Sequence, residues 1–110
     1  LQAIKKMMGR HFKASKKQIV GYVLRVDIYG NLITNIPKEV FEKLNPGKFE
    51  IVFGRESLQQ LQTNYDEVEP GDCWAFFNSL DLLEIGINHG HGAELLGLRY
   101  DSPIFINFEV

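Results

Sequence analysis

A single cysteine among 110 residues removes several chemistries from consideration at once. Cys73 has no partner for an intrachain disulfide, and no cysteine cluster exists to hold a metal. A lone thiol suits a reducing compartment, so the cytoplasm is the expected location. Because Cys73 sits in the apolar run Cys73-Trp74-Ala75-Phe76-Phe77, it reads as a small packed side chain rather than a nucleophile. No apolar stretch approaches the ~20 residues of a membrane span, and no leader-like pattern opens the chain, so no membrane partner is expected. The phosphate-binding loop and the dinucleotide-binding glycine fingerprint are both missing. Ser79, Asp81 and His89 lack the strained nucleophile turn that a hydrolytic triad needs. His89 and His91 flank Gly90 with Glu94 nearby, but no further ligand completes a metal set. A glycine-rich loop with exposed histidines is the favoured reading, and neither metal nor cofactor is expected.

What is present is enough for one domain with a real core, since 45% of the residues are hydrophobic. The formal charge of -2 conceals a division. Lys5, Lys6, Arg10, Lys13, Lys16 and Lys17 fall in residues 1–18 without an acid, while 19–110 carries six basic and fourteen acidic groups. A basic arm can serve nucleic acid. This one has only Phe12 as an interleaved aromatic and leads into an acidic body, so a solvated linker is favoured and no nucleic-acid partner is expected. Residues 1–18 read as an interdomain linker or the tail of a missing N-terminal domain, and 19–110 as a C-terminal β domain.

Strands are predicted at Ile19–Asp27, Leu32–Ile36, Phe49–Phe53, Glu56–Leu58, Cys73–Asn78, Leu82–Ile87 and Pro103–Glu109. A short helix with Pro37 in its first turn spans 37–44, burying Val40, Phe41 and Leu44, and 93–96 forms one helical turn. Residues 59–66 read as a polar loop whose large aromatic is Tyr65. Glu69-Pro70-Gly71-Asp72 has the residues of a type II turn. Six or seven short strands with one or two short helices define an all-β fold, a small Greek-key barrel or sandwich.

The most informative run is Val26-Asp27-Ile28-Tyr29-Gly30-Asn31-Leu32-Ile33-Thr34-Asn35-Ile36. A strand ends on a carboxylate, reverses through an aromatic-Gly-Asn turn and begins again at once. Gly30 accepts positive φ freely and Asn31 tolerates it. The turn gathers Asp27, the Tyr29 ring and the Asn31 amide at one end of a sheet, which suits a planar, hydrogen-bonding, partly cationic ligand such as adenine carrying an ammonium group. From the turn alone, an ordinary hairpin with a polar tip is the favoured reading. A second run, Phe77-Asn78-Ser79 through Ile87-Asn88-His89-Gly90, joins two strands by a polar turn. Its Ser79 region can bind a carboxylate through a backbone nest, and its Asn88-His89 strand end can pair with a base edge.

Together these segments resemble the C-terminal domain of the S-adenosyl-L-methionine hydroxide adenosyltransferases, relatives of the fluorinating and chlorinating enzymes that use the same substrate. Gly21 through Ile36 carries the resemblance most specifically. Thr63-Asn64-Tyr65-Asp66-Glu67-Val68, Asn78-Ser79 through Asn88, and Gly92 through Leu98 follow in order, so it covers about Ile19 to Val110. The resemblance implies a two-domain protein that assembles as a homotrimer, with each active site between this domain and the N-terminal domain of a neighbouring subunit. It implies that Tyr29 and Tyr65 sandwich the adenine and Asn31 hydrogen-bonds its edge. Asp27 would hold the methionine ammonium, Ser79 the amino-acid end, and the backbone of Asn88 and His89 the base. The family's water-activating Asp, Arg and His lie in the N-terminal domain, so no catalytic residue is expected here and this chain alone is expected to be inactive. Where halogenating relatives have Ser-Arg-Gly, this chain has Ser79-Leu80-Asp81, which favours a hydrolase. The expected function is the substrate-holding half of an S-adenosyl-L-methionine hydrolase, with that molecule or adenosine as ligand. A non-catalytic β-barrel binding or oligomerisation module is the alternative.

Overall fold

Side chains alternate in and out along the first long strand until residue 24, where the alternation slips by one. In the computed structural model, which describes residues 10–45 and 47–108, Ile19, Gly21 and Val23 are buried while Arg25 is exposed. Val26 instead packs on the core. The cause is a β-bulge: Val23 lies opposite Thr34, but Arg25 lies opposite Ile33, so Leu24 is the extra residue. Such a bulge bends a strand and re-aims the residues beyond it. Here it turns an Arg outward and brings a Val inward just before Asp27.

The elements in chain order are β1 (Lys13–Ala14), β2 (Gln18–Val26), β3 (Leu32–Pro37), α1 (Lys38–Leu44), β4 (Phe49–Phe53) and β5 (Glu56–Leu58). A 3-10 turn (Tyr65–Glu67), β6 (Cys73–Phe77), β7 (Leu82–Ile87), α2 (Gly92–Leu96) and β8 (Pro103–Phe108) follow. One antiparallel sheet has the order β5-β4-β8-β2-β3-β7-β6, with β1 added to β2. The last strand inserts between β2 and β4, and the sheet curls into a nearly closed barrel around Ile19, Leu32, Ile51, Phe53, Ile85 and Ile106. None of these six side chains is exposed to solvent. Among the described residues no helix is long and apolar enough to cross a membrane.

The predicted strands and helices are all found, with three differences. Pro37 closes β3 and serves as the N-cap of α1, at φ -78 and ψ 144, rather than occupying its first turn. Phe41 is the buried anchor of α1, and its ring meets Phe49 edge-on at 5.0 Å and lies 5.4 Å from Phe77. The end of the basic arm is folded onto the body. Lys13 and Ala14 pair with Val20 and Ile19, Arg10 stacks 4.9 Å over the Tyr22 ring, and its guanidinium lies 3.2 Å from Asp101. Lys5 and Lys6 lie outside the described residues.

The third difference closes the barrel. Gln62, expected in a solvated loop, is buried. Its N–H donates to the Ala75 carbonyl at 2.8 Å, and its Oε1 accepts the Ala75 N–H at 2.9 Å. One residue therefore satisfies the free edge of β6 that β5 does not reach, as an extra strand would. Gln62→Ala leaves a buried N–H without its partner, so denaturant unfolding should show a loss of about 1–3 kcal/mol. An unchanged midpoint would contradict this role.

Candidate ligand-binding site

The site begins with the reversal between β2 and β3. Asp27 organises it: Oδ1 accepts the N–H groups of Tyr29 and Asn31, both at 2.9 Å, and Oδ2 accepts the Asn31 side-chain amide at 3.2 Å. The carboxylate thus fixes the backbone of the turn and the direction of the Asn31 amide together. Gly30 takes φ +85, whereas Asn31 does not use the left-handed region.

A second segment braces the turn. The Ala93 N–H donates to the Gly30 carbonyl at 2.8 Å. A Cβ on Gly30 would fall 2.4 Å from the His91 ring, and one on Gly92 would fall 3.0 Å from the Gly30 oxygen. His91 is also the N-cap of α2, its Nδ1 accepting the Glu94 N–H at 3.4 Å. A third close approach lies on β7, where a Cβ on Gly86 would strike the Trp74 indole at 2.3 Å and Asn31 Oδ1 at 2.7 Å.

Tyr29, Asn31, Tyr65, Asn88 and His89, predicted from distant parts of the chain, line one depression of about 590 Å³. Tyr29 is 70% and Tyr65 52% exposed, and the Trp74 indole, only 3% exposed and 6.5 Å from the Tyr65 ring, forms the floor. The 3-10 turn that carries Tyr65 is held by Asn64, whose side chain accepts the Asp66 N–H at 2.8 Å. Glu67 accepts both the hydroxyl and the N–H of Thr63, and these two bonds lower its pKa. Two exposed phenols and a buried indole present aromatic surface suited to a flat ring.

Asn88 is differently employed from the expectation. Its N–H donates to Asp72 at 2.9 Å, its carbonyl accepts from Gly71 at 2.7 Å, and its amide donates to Val68 at 2.8 Å. Its main chain thus extends the β6–β7 ladder, which leaves exposed His89, at φ +59, as the member of the pair that can meet a base edge. Asn88 Oδ1 is buried without a partner among the described residues. Asp27 is not among the residues lining the depression, although its Oδ2 holds the Asn31 amide that does line it.

Ser79 is not brought to this place. Leu32 pairs with Ile85 and Pro37 with Leu82, so the Asp27–Asn31 turn adjoins the Gly86 end of β7 and Ser79 lies beyond the other end. The stretch from Ile87 back to Leu82 is about 17 Å at the rise of a strand. The same separation keeps Ser79 and Asp81 from acting with His89 as a triad. Cys73 is half-buried, and burial, followed by the charges of Glu56 and Asp72, pushes its thiol pKa up, away from nucleophile behaviour.

Sequence reasoning missed Trp74, Gly86 and His91. Trp74 and Phe76 have the period-2 spacing of an outer face, with Ala75 between them in the core, and that spacing was the available signal.

The fold is a small antiparallel barrel with an aromatic-lined depression at one end. Residues 21–105 match the S-adenosyl-L-methionine (SAM) hydroxide adenosyltransferase C-terminal domain, and the chain belongs to this family. It is 33% identical over 84 residues to the (R)-S-adenosyl-L-methionine hydrolase of Thermus thermophilus, a match covering 76% of this chain and 30% of that enzyme. The crystal structure of an uncharacterized conserved protein from Thermotoga maritima superposes with a TM-score of 0.74 and 26% identity, over 90% of this chain and 39% of that one. That of a conserved hypothetical protein from Thermus thermophilus gives 0.65 and 29%, over 79% and 34%. This chain therefore spans about a third of the length of these relatives.

Gly30→Ala and Gly71→Ala separate backbone strain from the His91 contact. Both glycines have positive φ, +85 and +92, but a Cβ on Gly71 meets nothing within 4 Å. Each should lose about 1 kcal/mol for the left-handed backbone. Gly30→Ala should lose a further ~1–3 kcal/mol for overpacking. Adding His91→Ala should recover part of that excess in thermal unfolding. Equal losses at both glycines would mean that His91 does not brace the turn.

Proposed function

We propose that this chain is the substrate-holding half of a SAM hydrolase, converting SAM and water to adenosine and methionine. The observation that carries this reading is the gathering of Tyr29, Asn31, Tyr65 and His89 around one aromatic-floored depression. Adenine would enter between the two tyrosine rings. The Asn31 amide, already aimed by Asp27, would bond its edge. The main chain at His89 would complete the recognition of the base, with Asn88 holding that strand end in place.

The reaction forms a bond from the water oxygen to the ribose C5′ and breaks the C5′–S bond. The electron pair leaves on sulfur, and the proton goes to a base. Positioning and exclusion of water would supply much of the rate. The residues gathered here offer stacking, amides and counter-charge rather than a poised base. The base would therefore come from an N-terminal domain on a neighbouring subunit of a homotrimer. The Asp27 carboxylate keeps one acceptor direction after three bonds to the turn, and this would face the methionine ammonium. A ligand reaching Ser79 from the depression must lie along β7.

Binding calorimetry on the complete enzyme tests the reading. Tyr29→Ala and Tyr65→Ala should each weaken adenosine binding by about 1–3 kcal/mol, the range for base–aromatic stacking. Both rings are exposed, so the fold should persist. Unchanged adenosine affinity in both variants would overturn the assignment. Asp27→Asn should weaken SAM by about tenfold or more, and adenosine less, because adenosine has no ammonium and loses only the aim of the Asn31 amide. Equal SAM affinities for wild type and variant would remove Asp27 from the site.

A further inference from the structure

Beyond the depression, the outer face of the β6–β7 pair carries a carboxylate that recognition of adenine and the ammonium does not use. Leu83 and Ile85 point into the core, so Glu84 and Gly86 face outward, opposite Phe76 and Trp74. The Phe76 ring stacks on the Trp74 floor, with centroids 4.7 Å apart and planes within 7°. Glu84 therefore stands one rung from the floor of the depression, about 7 Å along the strand. Ile33 of β3 is its neighbour on the other side.

Glu84 is half-buried between these two apolar residues, and its Oε1 accepts the Asn78 side-chain amide at 3.0 Å. The Asn78 amide is itself fixed, because its oxygen accepts the N–H groups of Leu80 and Leu82. The ion pair among the described residues is Arg10–Asp101, so Glu84 has no Lys, Arg or His partner there. A carboxylate aimed by a neighbour, flanked by apolar walls and without a cation is suited to a cation that a ligand brings.

We propose that Glu84 is a specificity-determining residue that selects the sulfonium of SAM. The inference rests on the adenine-binding reading of the depression. With the base on the Trp74 rung, the ribose spans one rung and its C5′ substituent arrives at Glu84. A sulfonium has no N–H to donate, so it needs a nearby negative charge and apolar contact rather than directed hydrogen bonds. That is what Glu84, Phe76 and Ile33 together present. Sulfur loses its charge as the C5′–S bond breaks, so the attraction fades towards the transition state. Glu84 should thus act on substrate binding more than on the chemical step.

The test is calorimetry of adenosine, S-adenosylhomocysteine and SAM with the complete enzyme, as wild type and as Glu84→Gln. Glutamine keeps an acceptor for Asn78, so the fold should persist, with melting temperature as the control. SAM should bind roughly three- to tenfold more weakly, the scale of a partly screened charge pair. The neutral thioether and adenosine should bind as before, and KM should rise more than kcat falls. Unchanged SAM affinity overturns the proposal while leaving adenosine binding intact. Losses shared by SAM and the thioether would assign Glu84 to the ammonium instead, and equal losses for all three ligands would mark a structural role; either overturns it. Failure of the wild type to bind any of the three removes the underlying reading and this proposal with it.

Discussion

The site depends on three backbone segments lying closer together than side chains would allow. Gly30, Gly86 and Gly92 each occupy a place where a Cβ would press into a neighbour. The His91 ring takes the space above Gly30, the Trp74 indole takes the space above Gly86, and the Gly30 carbonyl lies over Gly92. The Ala93 N–H then ties the turn to the start of α2. Close packing of this kind transmits small volume changes directly, because interiors have few voids to absorb them. Tyr29 and Asn31 project from the resulting rigid knot, although they belong to a surface turn that would otherwise be mobile.

The carboxylates near this knot divide their work. Asp27 is committed to local structure through three hydrogen bonds, and the direction of the Asn31 amide follows from it. Among the described residues Glu84 accepts one side-chain bond, from Asn78, and lies on an outer face between apolar neighbours. The first shapes the site and the second leaves most of its charge available. A ligand laid along β7 would meet them in different ways, although the two residues are alike in chemistry.

Closure of the barrel and placement of the site are linked through β6. Gln62 supplies the missing edge partner at Ala75, which holds β6 where Trp74 can form the floor of the depression. The bulge at Leu24 plays a comparable part on β2, since it resets the alternation just before Asp27. Without that reset Arg25 rather than Val26 would face the core, and the turn would leave the barrel with its other face outward.

Much of the fold was legible in the chain itself, because alternation, Pro–Gly turns and the short helix at 38–44 are local signals. The Asp27–Asn31 turn and the two tyrosines could be named because their chemistry is unusual for a hairpin and their order matches a known family. Three things depended on tertiary structure. Gln62 looks like any loop residue until β6 is seen to lack a partner, since strand edges are set by pairings distant in sequence. Trp74 has the spacing of an outer-face residue, but only the pairing with Gly86 puts its indole at the depression that the tyrosines line. The register of β3 on β7 separates Ser79 from the depression, a distance no motif expresses. The sequence determined which groups were available for recognition. The pairing of strands, which joins residues without regard to their spacing along the chain, decided which of them meet.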